Sequence, residues 1–340
     1  MKRLILPLLA AACALATPAM AQEKVEWRYV SVVPAGHGYA ARMIEAFKGV
    51  EERTDSNFKI RFVTYGETPF KVNDALTITR DGLIDMAEWL RNYNASTYPL
   101  LAGPELPLLP EKLTTPAELQ AQKVEAWSKP TISAYLGKIF DDYNAQPLIT
   151  WFYDPYQLWV SSEVDSVDAL KGMKIRGSTP EQAELLTGIG ASPINIQPAE
   201  LYTALQRGTV DGTITGQGAV TGFKWSEVLK TGFLANVMMS SSGPIVNKDR
   251  FAELPDDYKT VLMDELNKAQ ADLRDFMPKF TQAQQDGLRE QGLNLIEPSP
   301  EMYQQLRNAA VTVTYPAWAE RAGPEGRKML EELGVQLGGD

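Results

Sequence analysis

The residue types and spacing of an anion-binding site occur in one short stretch, G-M-K-I-R-G at positions 172–177. In a β-strand Met173 and Ile175 share one face, and Lys174 and Arg176 share the other. Arg176 then stands at the carboxyl end of the strand, which is where open α/β sheets bind their ligands. An arginine there can offer a planar fork of two N–H donors to a carboxylate. A structural ion pair is equally consistent with this spacing.

Aromatic side chains cluster at positions 151–159, where a second group of strands begins. Strand alternation places Trp151 and Tyr153 on one face and Phe152 on the other, so only one set can line a cleft. Trp151, Tyr153 and Trp159 would suit a flat or apolar ligand body. Core packing is the other role open to each of them.

Signatures of catalysis are missing from the sequence. The only histidine, His37, lies in a G-H-G turn, and the only cysteine is Cys13. No G-x-S-x-G elbow, H-E-x-x-H, C-x-x-C, Walker loop or EF-hand pattern occurs. We therefore predict no catalytic residue, no metal site and no cofactor. A secreted hydrolase or lyase that uses carboxylates is the enzymatic alternative.

Short apolar strands alternate with amphipathic helices, which predicts an α/β fold. The pattern predicts a first strand over 25–33, a helix over 39–53 and a strand over 58–64. One longer helix is expected over 116–140. Thr179 and Pro180 have the residue types of a helix start, with Gln182 able to complete a capping box. Residues 254–291 read as a helix of about 55 Å that Pro278 should kink.

The amino terminus has the features of an export signal. Lys2 and Arg3 precede a short apolar stretch, and Ala19-Met20-Ala21 has the A-x-A form of a cleavage site. We expect cleavage after Ala21 and a periplasmic protein. A lipoprotein site at Ala10–Cys13 is the alternative reading. The apolar stretch is too short to span a bilayer, so no membrane insertion is expected.

The formal net charge is −10. This charge argues against nucleic acid or an anionic membrane surface as a partner. It does not argue against an anionic small ligand, because one buried arginine can dominate a pocket locally. A highly charged surface makes a monomer the expected state.

Three stretches, taken in order, resemble the solute-binding proteins of TRAP (tripartite ATP-independent periplasmic) transporters. They are L-K-G-M-K-I-R at 170–176, G-A-S-P at 190–193 and E-L-Y-T-A-L-Q-R-G-T-V-D-G at 200–212. G-L-I-D at 82–85, L-P-L-L at 106–109 and E-L-P at 253–255 are further similar pieces. The similarity covers nearly the whole chain after the signal.

This resemblance implies a type II-like periplasmic binding protein of two α/β lobes, with a cleft between them and a long bracing helix. It implies that Arg176 holds the ligand carboxylate and that Glu88, Trp89 and Arg91 belong to the wall of the first lobe. Gln157 stands where many relatives have a second arginine, and Thr215 where many have an asparagine. These departures favour a monoacid with a hydroxyl, keto or aromatic group over a dicarboxylate or a sialic-acid-like ligand.

The expected division is a signal at 1–21, a first lobe of 22–145 plus about 237–276, and a second lobe of 146–236 plus about 277–340. The expected function is capture of a small organic acid and its delivery to TRAP membrane permease subunits. An ABC-type binding protein and a binding protein coupled to a membrane sensor are the alternatives.

Overall fold

A computed structural model of the chain describes residues 24–337, apart from the side chain of Ala199. The predicted signal at 1–21, its cleavage site and Cys13 lie outside the described residues. The strands are β1 (Val25–Ser31), β2 (Phe58–Thr64), β3 (Met86–Glu88), β4 (Ala145–Pro147), β5 (Trp151–Phe152), β6 (Tyr156–Val160), β7 (Lys174–Arg176), β8 (Ser192–Ile194), β9 (Gly212–Gly216), β10 (Thr231–Met238), β11 (Ser241–Ser242), β12 (Pro244–Asn247) and β13 (Asn294–Ile296). The α-helices are α1 (Gly38–Arg53), α2 (Ala75–Arg80), α3 (Pro116–Trp127), α4 (Pro130–Asp142), α5 (Pro180–Gly188), α6 (Pro198–Gln206), α7 (Gln217–Gly222), α8 (Lys248–Glu253), α9 (Asp256–Glu290), α10 (Pro300–Ala309) and α11 (Tyr315–Glu332).

Two mixed sheets organise the fold, which is the two-lobed α/β architecture that the sequence predicts. The first sheet has the order β2-β1-β3-β12-β4, and the second has the order β13-β10-β6-β9-β7-β8. In the first sheet β1 pairs in parallel with β2 and β3, and β12 runs antiparallel to β3. The chain passes between the sheets through β5 and β11, which form a separate two-stranded ribbon. The exact lobe boundaries stay a prediction.

The long helix α9 connects the cores of both sheets. It has 35 residues and continues through Pro278 without interruption. Its residues Leu262 and Leu273 pack in the core that contains Trp27 of the first sheet. Leu288, near its end, packs with Trp159 of the second sheet. At about 1.5 Å per residue such a helix is long enough to brace two lobes.

Two local predictions have different outcomes. The single helix expected over 116–140 is wrong, since α3 ends at Trp127 and α4 begins at Pro130. Pro130 has no amide hydrogen and holds Lys129 in an extended conformation, which separates the helices. The predicted helix start at Thr179 is confirmed, because its side chain accepts a hydrogen bond from the Gln182 backbone amide. The capping box expected with Gln182 is wrong, since Gln182 Oε1 accepts from the Ser178 backbone amide at 2.8 Å instead.

Candidate functional site

A cavity of about 210 Å³ lies between the two sheets. The first sheet contributes the segments that follow β1 and β3, and the second contributes the ends of β7 and β9. The crossing segment at 153–156 and helix α7 with residues up to Trp225 also line the cavity, as do Val72, Gln197 and Pro198. Ligands of open sheets bind at the carboxyl ends of strands, so this cavity is where the topology predicts a binding site.

Arg176 projects into this cavity from the carboxyl end of β7. Its side chain is 5% exposed, and its Nε donates to the carbonyl oxygen of Ile196 at 3.0 Å. Among the described residues, no protein group accepts a hydrogen bond from its two terminal nitrogens, and no carboxylate pairs with it. The backbone bond fixes the guanidinium plane while leaving a two-donor edge for a ligand.

Two other predicted site residues line the same cavity, Tyr153 and Thr215. Tyr153 is part of the cavity wall, and its hydroxyl donates a hydrogen bond to Glu88 Oε1 at 2.5 Å. The Thr215 carbonyl accepts a hydrogen bond from Trp159 Nε1 at 2.9 Å. Trp159 is therefore a support behind β9 and does not line the cavity.

Glu88 lies behind the cavity as the centre of a buried hydrogen-bond network. It is 1% exposed and accepts hydrogen bonds from five groups on three segments of the chain. The donors are Tyr29 OH at 3.4 Å, Ser31 Oγ at 2.9 Å, Val32 N–H at 2.9 Å, Tyr153 OH at 2.5 Å and Ser242 Oγ at 2.8 Å. The network ties the end of β1 to both segments that cross between the sheets.

Trp89 and Arg91 also lie behind the cavity. Trp89 Nε1 donates to Asn94 Oδ1 at 2.8 Å, and Arg91 Nη2 donates to Thr150 Oγ1 at 2.8 Å. The Arg91 guanidinium carbon lies 4.9 Å from the centre of the Trp127 ring. Burial lowers the pKa of Arg91 to about 10, although the nearby carboxylate of Glu105 acts in the opposite direction.

Glu105 and Lys123 form a buried charged group with Arg91. Burial raises the pKa of Glu105 to about 7 and lowers the pKa of Lys123 to about 8. Glu105 Oε1 accepts from the Ser241 amide at 2.7 Å, so this group holds the second crossing segment. Its geometry places it in the connection between the sheets, outside the cavity wall.

Gln157 and Trp151 complete the set of predicted residues that lie outside the wall. Gln157 Nε2 donates to Asn236 Oδ1 at 2.6 Å, and its Oε1 accepts from the Asn236 amide at 2.7 Å. Trp151 is 3% exposed and packs in the core of the first sheet. The predicted ligand-binding roles of Gln157, Glu88, Trp89, Arg91, Trp151 and Trp159 stay predictions, and none of these residues lines the cavity.

Sequence reasoning missed several polar cavity residues, among them the titratable groups of His37 and Asp154. Burial lowers the pKa of His37 to about 4 and raises the pKa of Asp154 to about 6. Asp154 Oδ2 accepts a hydrogen bond from the Gly218 amide at 3.0 Å. His37 follows the first strand in a G-H-G turn, and Asp154 precedes a proline between two strands. The position of both beside strand ends was the available signal.

Among residues 24–337, no group of three or more His, Cys, Asp and Glu side chains is placed to hold a metal ion.

Comparison with known proteins decides the family. Residues 31–321 match the model of the bacterial extracellular solute-binding protein family 7. The chain belongs to this family. A solute-binding protein of Albidiferax ferrireducens is 26% identical over 228 residues, which are 65% of this chain and 64% of that protein. The match thus spans slightly less than two thirds of that relative.

Solved structures share the fold over nearly the whole chain. The extracytoplasmic solute receptor DctP7 of Bordetella pertussis, which binds pyroglutamic acid, has a TM-score of 0.79 at 18% identity and covers 91% of this chain and 99% of that one. A TRAP periplasmic solute-binding protein of Desulfovibrio salexigens with bound orotic acid has a TM-score of 0.78 at 19% identity, with coverage of 92% and 98%.

Membership in this family establishes the class of protein. Its members are extracytoplasmic solute receptors of the TRAP type, a class of binding proteins and not of enzymes. Within residues 24–337 no helix combines the length and the apolar character that crossing a membrane requires.

Proposed function

We propose that this protein captures a small organic acid in the cavity between its sheets and delivers it to the membrane permease of a TRAP transporter. The observation that carries the proposal is the buried guanidinium of Arg176, which its bond to Ile196 orients and whose remaining edge faces the cavity. A ligand carboxylate would complete this edge with two charge-assisted hydrogen bonds. Lobe closure around the acid would then present the loaded form to the permease.

The charge of the cavity favours a monoacid, in which a hydroxyl, keto or aromatic group accompanies the carboxylate. Among the described residues that line it, Arg176 is the one cation and Asp154 the one carboxylate. The charges of Arg176 and Asp154 cancel, so a bound monoanion gives the site a net charge of −1. A bound dicarboxylate would give it a net charge of −2, with no second cation to offset it. The two structural relatives bind pyroglutamic acid and orotic acid, which are also monoacids and in which a ring carries the single carboxylate.

Thermal unfolding of residues 22–340 in the presence of organic acids tests the proposal. The panel contains pyroglutamate, orotate, hydroxy and keto monoacids, with succinate and sialic acid as disfavoured ligands. A bound acid at about a hundredfold excess over its dissociation constant stabilises by about 2.7 kcal/mol, which is an obvious shift. We expect a monoacid to give this shift.

Arg176 variants make the test specific. Arg176→Ala should weaken binding at least about a hundredfold, and Arg176→Lys about tenfold, because lysine keeps the charge but lacks the fork. Arg61→Ala is the control, since Arg61 is exposed and only pairs with Glu26 at 3.6 Å. Micromolar affinity retained in Arg176→Ala, or shifts only with sugars or amines, would contradict the proposal.

We also propose export with cleavage after Ala21 and a monomeric mature protein. Mass spectrometry of the secreted chain should find Gln22 as its first residue, and light scattering should give the mass of one chain. An acylated cysteine at position 13 would instead establish the lipoprotein alternative.

A further inference from the structure

His37 brings a polar atom of the first sheet to the cavity that Arg176 enters from the second. The imidazole follows β1 and precedes α1, where its Nδ1 accepts a hydrogen bond from the Tyr39 amide at 3.4 Å. Because Nδ1 is the acceptor, the neutral ring carries its proton on Nε2. No protein group among residues 24–337 accepts a hydrogen bond from this Nε2.

The surroundings of the ring hold it in place. Its centre lies 5.5 Å from the ring of Tyr39, 5.6 Å from Phe280 and 6.4 Å from Tyr153. Nε2 lies 3.0 Å from the position that a Cβ on Gly218 would occupy, so the backbone of α7 closes directly against it. The imidazole thus has little freedom to turn at the cavity that His37 lines.

The donor is also uncharged at neutral pH. Burial lowers the pKa of His37 to about 4, and no carboxylate forms a hydrogen bond with the ring. A neutral N–H does not offset the desolvation of a second carboxylate, whereas it pairs well with an uncharged oxygen.

We propose that His37 is a specificity residue whose Nε2–H binds a carbonyl oxygen of the ligand while Arg176 binds its carboxylate. The ligand class is then a monoacid with a keto or amide carbonyl, and the acid bridges the two sheets. This inference rests on the proposed function and adds the second recognition point to it. Glycine at position 218 leaves room for the ring, since a side chain there would press on the imidazole and on Phe280.

Two substitutions separate the two nitrogens of the ring. His37→Asn retains an acceptor at the place of Nδ1, and asparagine is a favoured residue at a helix start, but it does not reach the cavity. His37→Gln places an amide N–H near the position of Nε2. A role limited to capping α1 predicts that His37→Asn changes nothing, while a ligand role predicts that only His37→Gln preserves specificity.

The probes are keto acids and their carbonyl-free counterparts, measured by calorimetry. They are 2-oxopentanoate and 4-oxopentanoate against pentanoate, and 3-oxocyclopentanecarboxylate against cyclopentanecarboxylate. We expect the wild type to bind at least one keto acid roughly tenfold more tightly than its counterpart, since a bare buried N–H is costly. The ratio should fall to within about threefold in His37→Asn and persist in His37→Gln.

Each result has a separate meaning. Equal affinity for keto and carbonyl-free acids in the wild type, or a preference that survives in His37→Asn, would overturn the role of His37 and leave that of Arg176 intact. Absence of binding by every acid, or binding that Arg176→Ala does not weaken, would overturn the proposed function and this inference together. Unfolding of the ligand-free variants checks that each is folded.

Discussion

Glu88 offers the sharpest test of how the site is supported, through the pair of substitutions Glu88→Ala and Glu88→Gln. Oε1 accepts from two hydroxyls, those of Tyr153 and Ser242. Oε2 accepts from the Val32 amide and from the hydroxyls of Ser31 and Tyr29. A hydroxyl can reverse and accept a hydrogen bond, but an amide N–H cannot.

These contacts give different magnitudes for the two variants. Glutamine can keep its oxygen on the Val32 amide and turn its NH₂ toward the hydroxyls of Tyr153 and Ser242. Glu88→Gln should therefore lower the free energy of unfolding by about 1–2 kcal/mol, because neutral hydrogen bonds are weaker than those to a carboxylate. Alanine leaves the Val32 amide and the Tyr153 hydroxyl unpaired in a buried site and adds a small void, which together cost about 3–6 kcal/mol.

Urea denaturation of the ligand-free protein measures both free energies of unfolding. Glu26→Ala serves as the control, because the Glu26 side chain is 61% exposed and only pairs with Arg61. A cost below about 1 kcal/mol for Glu88→Ala, or equal costs for the two variants, would refute the reasoning. A loss of acid binding in a stable Glu88→Gln variant would instead show that Glu88 acts on the ligand.

Two further predictions concern other buried polar groups. Gln157→Ala should lower the free energy of unfolding by about 2–3 kcal/mol, because the backbone amide and the side-chain oxygen of Asn236 lose their partner. Urea denaturation measures this loss, and calorimetry should show that the affinity for the acid changes less than threefold. A large loss of affinity would place Gln157 in the binding site. The pKa of His37 is about 4 in the folded state and about 6.5 in the unfolded chain. Between these pH values the unfolded chain binds more protons than the folded protein, so the free energy of unfolding falls as the pH falls. Between pH 7 and pH 4.5 the wild type should lose about 2 kcal/mol more than His37→Gln in urea denaturation, and equal losses would show that the imidazole is not buried in its neutral form.

The local sequence determined much of the fold and one central residue of the site. Period-two alternation over 172–176 and the helix start at Thr179 placed Arg176 at the end of a strand, and both features are in the structure. They are predictable because a strand end and a capped helix depend on neighbouring residues alone. The prediction of one helix over 116–140 misses the break between α3 and α4, although Pro130 marks it in the sequence.

Tertiary structure alone decided which polar residues meet. Trp159, Gln157 and Glu88 have residue types suited to a ligand, yet each is fully engaged by partners far away in the chain. Conversely, His37 reaches the cavity of Arg176 because parallel strands of two sheets end at the same cleft. Alternation states which face of a strand a side chain occupies, but whether that face meets solvent, core or cleft depends on sheet order. Sheet order is set by pairing and packing between segments that are separated along the chain, such as β3 with β12, and no local pattern contains it.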